Sequence, residues 1–159
     1  MYRLSTPLLK SLCMFSSGFV LHPQLEKDSV WVGNLLLSQV RLHTNASWPW
    51  VILVPRTREL TQELVDLTEA ESLQVYKEIR SVSTALRVLF QPDKLNTGIL
   101  GNIVSQLHIH LVARYKDDLA WPGPVWGHSA RKSYTREALN ARVEALAAIL
   151  KVHNADFQT

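Results

Sequence analysis

Three polar residues spaced by two, Gln106, His108 and His110, lie in the run Gln106 to Arg114, which reads Gln-Leu-His-Ile-His-Leu-Val-Ala-Arg. Imidazoles at i and i+2 can do three kinds of work. They can ligate a metal, as in zinc sites that draw histidines from one strand, they can supply a nucleophile with its supporting partner, or they can hold an anion without reacting. Two solvated histidines that do nothing are the plain alternative. A metal needs a third ligand from His22, His43, His128 or a carboxylate. Against it, the chain has no Cys-x-x-Cys, no second close histidine pair and, between Glu78 and Lys116, no acid except Asp93. The metal reading is therefore the less favoured one, and no cofactor is expected. The nucleophile reading gains from the stretch just upstream. Asn96, Gly98, Gly101 and Asn102 offer amide donors and small residues where a backbone could approach phosphate oxygens closely, although ordinary turns use the same residue types.

The elements that must position these groups follow from periodicity. From Gln106 to Leu111 polar and apolar residues alternate, the pattern of a half-buried strand. Leu107, Ile109 and Leu111 should face a core, with Gln106, His108 and His110 in a row on the other face at intervals of about 6 to 7 Å. Upstream, His22-Pro23 reads as a turn or extended segment, because proline pushes its predecessor out of the helical region. Ser29 to Gly33 and Gln39 to Thr44 read as short strands joined by a turn beginning at Gly33-Asn34. After the turn Asn45 to Pro49, Trp50 to Val54 is a nearly continuous apolar strand closed by Pro55. Connections this short make the pairing antiparallel.

Thr68-Glu69-Ala70-Glu71 has the spacing of a capping box and opens the clearest helix, with an apolar stripe of Val75, Ile79, Val82, Leu86 and Leu89 ended by Pro92. Leu95 to Leu100 reads as a strand returning to the sheet, and Asp117 to Gly127 as an irregular loop anchored by Trp121 and Trp126. A last helix runs from about Thr135, with Leu139, Val143, Leu146 and Leu150 on one side. The fold class is α+β: an antiparallel meander sheet of about five strands, one long helix and a C-terminal helix.

At 159 residues and 47% apolar composition the chain can bury a sizeable core as one domain, placed here over residues 21–159. A net charge of +3 and a pI near 9.2 favour anionic small molecules. No Lys/Arg cluster suggests nucleic acid as a partner, and no apolar run is long enough to span a membrane. The single cysteine, Cys13, excludes an intrachain disulfide and suits a reducing, cytoplasmic setting. Residues 1–20 read as a flexible N-terminal extension, with translation beginning naturally at Met14.

The stretch Asn96 to Arg114 resembles the histidine triad (HIT) superfamily of nucleotide hydrolases and transferases. Its signature is His-x-His-x-His following a Gly-Gln-Ser/Thr-Val segment. Here Gly101-Asn102-Ile103-Val104 stands in that place and Gln106, His108 and His110 fill the three triad positions. Weaker resemblance extends from His22 to Trp121, taking in Trp50 to Pro55 and Trp121-Pro122. The resemblance implies a homodimer and covalent catalysis by the middle histidine, His108. That residue would attack the α-phosphorus of a nucleoside phosphoanhydride of the dinucleoside polyphosphate kind, leaving a nucleotidyl-histidine for water to cleave. Attack needs neutral imidazole, the form histidine largely takes near pH 7. Gln106, His110, Asn96 and Asn102 would contact the phosphate chain, and Asn45 would stand near the sugar, where relatives place an acid. Gln106 cannot donate a full proton, so anhydrides should be cleaved better than phosphoramidates. Ile103 replaces a hydroxyl. His43 is a further candidate for substrate contact. Trp31, Trp48 and Trp50 read as core or dimer interface, whereas Trp121 or Trp126 could close over a nucleotide from the partner subunit. The alternative reading is a nucleotide-binding or interaction protein with little or no catalysis, and behind it a His-ligated metal enzyme.

Overall fold

A computed structural model describes residues 18–57 and 61–159. The expectations for Cys13, Met14 and most of the flexible extension fall outside these residues. Within the stretch expected to be flexible, Phe19 packs against the core and the Val20 carbonyl accepts a hydrogen bond from Gln106 Nε2 (3.0 Å). The folded domain therefore reaches at least to Phe19.

In chain order the elements are helix α1 (Pro23–Asp28), strands β1 (Ser29–Asn34), β2 (Ser38–His43) and β3 (Trp50–Pro55), a 3₁₀ turn at Leu64–Asp66, helix α2 (Glu69–Phe90), strands β4 (Lys94–Gly98) and β5 (Ile109–Arg114), and helix α3 (Arg136–His153). The strands form one antiparallel sheet in the order β1-β2-β3-β5-β4. The first three make a meander. The last two form a hairpin-like pair turned so that β5 lies inside, against β3, and β4 takes the edge.

Local chemistry explains the boundaries. The Thr68 side chain accepts from the Glu71 amide while Glu71 accepts from the Thr68 amide, so the capping box forms as read. Gln91 ends α2 in the left-handed region at φ 45°, and Pro92 then forbids a further turn. Thr135 caps α3 through the Ala138 amide. One expectation is corrected at His22-Pro23. His22 is extended, as the residue before proline should be, but Pro23 opens a six-residue helix whose Gln24 amide is capped by His22 Nδ1 (3.1 Å).

A second correction concerns the strand of the triad. The β5 ladder begins only at Ile109, paired with Leu53, because the Leu107 amide leaves the ladder and donates instead to the Thr61 carbonyl (2.7 Å). Alternation of side chains persists through this break. Leu107, Ile109 and Leu111 are buried in the main core with Val40, Leu42, Val51 and Leu53, covered by α2 and α3. A smaller cluster on the opposite face gathers Leu25, Trp48, Trp50, Ile52, Val54, Val104, Val112 and Val125. It is this second face that holds the site.

Candidate active site

The second face is crossed by a row of aromatic rings drawn from β2, β3, β5 and the residue just before β5. The ring centroids of His108 and His110 lie 4.8 Å apart, those of His110 and Trp50 lie 5.3 Å apart, and Trp50 stacks on His43 at 4.4 Å with an interplanar angle of 19°. The register explains the row. Ile52 pairs with His110, which puts Trp50 on the diagonal of His110, within reach of a large ring. Pairing of Leu42 with Val51 brings the next residues, His43 and Trp50, opposite one another.

Over this row opens a cleft of about 360 Å³. Gln24, Leu25 and Asp28 of α1 form one wall, residues 100, 102, 103 and 104 another, and Val125 to Gly127 with Arg131 close the remaining side. Trp126 reaches this wall because Gly98 has no side chain. A Cβ at Gly98 would stand 2.8 Å from two atoms of the indole.

Each histidine has its Nδ1 occupied, and the partners differ in kind. His108 Nδ1 lies 2.7 Å from the carbonyl of Gln106. A carbonyl only accepts, so this nitrogen carries the proton and Nε2 keeps a lone pair. His110 Nδ1 accepts from the indole Nε1–H of Trp50 (2.9 Å), and His43 Nδ1 accepts from the Asn45 amide (2.9 Å). Both of these donors can only donate, so the neutral rings carry their protons on Nε2. Among the three, His108 alone presents a bare Nε2.

Burial reinforces the neutral state of the other two. His110 is pushed down to about 3 by burial, with the neighbouring His108 and His43 adding to the effect. His43 is pushed down to about 4, again by burial first, with Asp28 opposing and Arg131 assisting. Neither can act as a protonated acid near neutrality.

The structure distributes the residues singled out in the sequence unevenly. His108, His110, Asn102, Asn45 and His43 line the cleft. Asn45 lines it with a side chain already engaged. Its Oδ1 accepts from the Ser47 and Lys132 amides and its Nδ2 donates to the Ala130 carbonyl, which fastens the segment carrying Arg131 to the cleft. Asn45 is therefore a clamp whose amide already serves three backbone groups.

Two other expectations are corrected. Gln106 does not face the cleft; its Oε1 accepts from the His22 amide (2.8 Å) and its Nε2 donates to the Val20 carbonyl. A primary amide offers one donor and one acceptor group, which suits two backbone groups of opposite kind at the start of the domain. Asn96 is likewise spent elsewhere. Its Oδ1 accepts from Arg114 Nη1 (2.6 Å), whose guanidinium, 1% exposed, also pairs with Asp118 at 2.7 and 2.9 Å. Burial opposes ionisation of Asp118, yet these bonds and the Ala120 and Tyr115 amides hold its carboxyl well below the usual range. Trp50 is buried in the second apolar cluster, as the core reading expects, and also forms part of the cleft floor, while Trp126 lines the cleft of its own chain. No local sequence signal marks Asp28, Gln24 and Arg131, since only the fold brings their distant segments together at the cleft. Among the described residues no group of three or more His, Cys, Asp and Glu side chains could hold a metal ion.

A HIT domain family model matches residues 24–117, more than half of the chain. The chain belongs to the histidine triad family. Similar solved structures agree. A histidine triad protein from Bradyrhizobium japonicum is 39% identical, with a TM-score of 0.80 over 84% of this chain and 98% of its own. One from Marinobacter aquaeolei is 37% identical, with a TM-score of 0.81 over 86% and 99%. A third, from Sinorhizobium meliloti, is 36% identical, with a TM-score of 0.78 over 87% and 98%. No protein of curated function matches. The α+β fold with its five-stranded antiparallel sheet is that of the HIT family, and family membership supports nucleotide binding or hydrolase or transferase activity in general terms.

Proposed function

We propose that this HIT protein hydrolyses a nucleoside phosphoanhydride, of the dinucleoside polyphosphate kind, through a nucleotidyl intermediate on His108. The observation that carries the reading is the bare Nε2 of His108, fixed by the Nδ1–H bond to the Gln106 carbonyl at the floor of the cleft. In the first step Nε2 forms a bond to the α-phosphorus as the bridging P–O bond breaks, and its electron pair leaves with the departing phosphate. Positive charge then spreads over the imidazole, and the Gln106 carbonyl on Nδ1–H stabilises it. In the second step water attacks phosphorus, the N–P bond returns its pair to Nε2, the nucleoside monophosphate departs, and one proton of the water passes to solvent. His110, its proton on Nε2, donates to a non-bridging oxygen, and Asn102 stands at the cleft rim as a second donor.

The leaving group follows from what the cleft lacks. His110 and His43 are held neutral, and the Gln106 amide is engaged away from the cleft, so none of the three supplies a proton to a basic leaving group. A phosphate departs as a stable anion without one, whereas an amine must be protonated. Two subunits are expected to pair as a homodimer, with the cytoplasm as the setting.

The test is a single-turnover mixture with diadenosine tetraphosphate, quenched and read by mass spectrometry for a nucleotidyl adduct on His108. Adduct and turnover are expected, with the anhydride cleaved about a hundredfold faster than a nucleoside phosphoramidate. Binding without adduct or turnover would make the protein a nucleotide-binding module, and equal turnover of the phosphoramidate would overturn the leaving-group argument.

A further inference from the structure

The indole of Trp50 is in contact with both neutral histidines of the cleft. It stacks on His43 and gives its only polar hydrogen to His110 Nδ1 at 2.9 Å. Trp50 is 7% exposed, seated on β3 between its strand neighbours. His110 is 8% exposed, so little water is available to compete for either nitrogen. A neutral imidazole carries one proton, and which nitrogen holds it is decided by the partner of the other. An indole N–H can only donate. If His110 placed its proton on Nδ1, two hydrogens would meet at that contact and the buried N–H of Trp50 would lose its acceptor, a loss that an enclosed donor tolerates poorly.

We propose that Trp50 is a positioning residue that holds His110 in its Nε2–H tautomer, and so fixes it as a hydrogen-bond donor toward the cleft. The proposal deepens the hydrolase reading and rests on it for its effect on rate, though the tautomer itself does not. The consequence is a division of labour between two histidines two residues apart. The Gln106 carbonyl makes His108 the ring with a lone pair on Nε2, and the Trp50 indole makes His110 the ring with a proton there. One is set to attack and the other to donate, without any change of charge in the floor of the cleft. A second histidine with a bare Nε2 would instead repel the phosphoryl oxygens beside the nucleophile.

The experiment labels the histidine rings with nitrogen-15 and reads, from long-range proton–nitrogen couplings at neutral pH, which nitrogen of His110 is protonated. The wild type, Trp50→Phe, and the protein with 3-benzothienylalanine at position 50 are compared. The last keeps the bicyclic shape and the stack on His43 while removing the donor, so it answers the question even if the smaller phenyl ring disturbs the fold. His110 is expected in the Nε2–H form in the wild type and with an Nδ1–H population in both replacements. Anhydride turnover at saturating substrate should fall roughly tenfold or more, short of the full loss of one phosphoryl donor. In a His110→Ala background the same replacements should cost nothing further. An unchanged tautomer ratio in both replacements would overturn the proposal, as would an equal loss of rate with and without His110. Absence of turnover in the wild type, with the tautomer shift intact, would sink the hydrolase reading and leave the positioning role standing.

Discussion

One face of the sheet carries Val40, Leu42, Val51, Leu53, Ile109 and Leu111 beneath two helices. Residue for residue between them, the other face carries Arg41, Trp50, Ile52, His110, Val112 and Arg114, with His43 closing the row. Those six side chains are held by contact alone, and the chief polar group beneath the helices is Glu78 of α2, buried and accepting from the Leu37 and Ser38 amides. On the second face the three histidines and Arg114 are individually answered, His43 by the Asn45 amide, His110 by Trp50, His108 by the Gln106 carbonyl, and Arg114 by Asp118 and Asn96, while the buried indole nitrogen of Trp126 has no partner. These bonds keep the ring nitrogens and the guanidinium from being left unsatisfied. They also set ring orientation and protonation, so on this face stability and reactivity come from the same contacts.

The largest expected effect breaks the comparison on the reactive side. His108→Ala should lower anhydride turnover on the order of a thousandfold or more, as loss of a covalent nucleophile does, while the midpoint of urea unfolding moves little. Turnover within tenfold of the wild type would remove His108 from the chemistry. The mirror change is Leu111→Ala on the apolar face, where truncation of a side chain 1% exposed should cost about 3 to 4 kcal/mol in unfolding free energy. Rate per folded molecule should stay within about twofold, because the change touches no group that contacts substrate. A large loss of specific activity in Leu111→Ala would show that the two faces are not separable.

Acid should sharpen the contrast. His43 and His110 have folded values lowered to about 4 and about 3, below that of an unfolded histidine near 6.5. Between pH 6.5 and 4 the unfolded chain therefore binds more protons than the folded one, and stability rises with pH through that window. Their contribution is fully present above pH 6.5 and is lost as the pH falls toward 4 for His43 and toward 3 for His110. Summed over both rings, and discounted for partial exposure, the loss is on the order of 3 kcal/mol. Urea unfolding across this range should show it, and His43→Phe, which keeps a ring against Trp50, should remove a share of the slope. A slope unchanged by that substitution would mean His43 is not buried neutral.

Sequence periodicity disclosed the two faces more readily than the partners within them. Alternation from Gln106 to Leu111 placed Leu107, Ile109 and Leu111 in the core correctly, and the Thr68–Glu71 box placed the start of α2. These signals are local. The roles of Gln106, Asn96 and Asn45 were not legible, since an amide side chain suits a phosphate, a sugar or a stray backbone group equally well. The choice between these depends on partners 84, 18 and 85 residues distant in the chain. Trp50 was hidden for a related reason. Within its own strand it reads as one more apolar residue, and only the cross-strand register puts its N–H against His110.

The smallest effect concerns the triad position where histidine is replaced. If the Gln106 amide touched substrate, its removal would raise KM or lower turnover and leave the fold alone. The structure gives the opposite assignment, because both ends of the amide serve the backbone at Val20 and His22, just before the helix whose Gln24 and Asp28 form a wall of the cleft. Gln106→Ala should therefore cost about 1 to 2 kcal/mol, the scale of stranding two partly buried backbone groups. The amide of His22 should lose hydrogen-exchange protection while that of Leu111, deep in the sheet, keeps it. Gln106→Glu should recover only part of this, since a carboxylate accepts from the His22 amide but offers nothing to the Val20 carbonyl. A carboxylate facing a phosphate chain would instead weaken substrate binding severely, so a near-normal KM in Gln106→Glu, alongside the loss of protection at His22, separates a latch from a ligand-binding group.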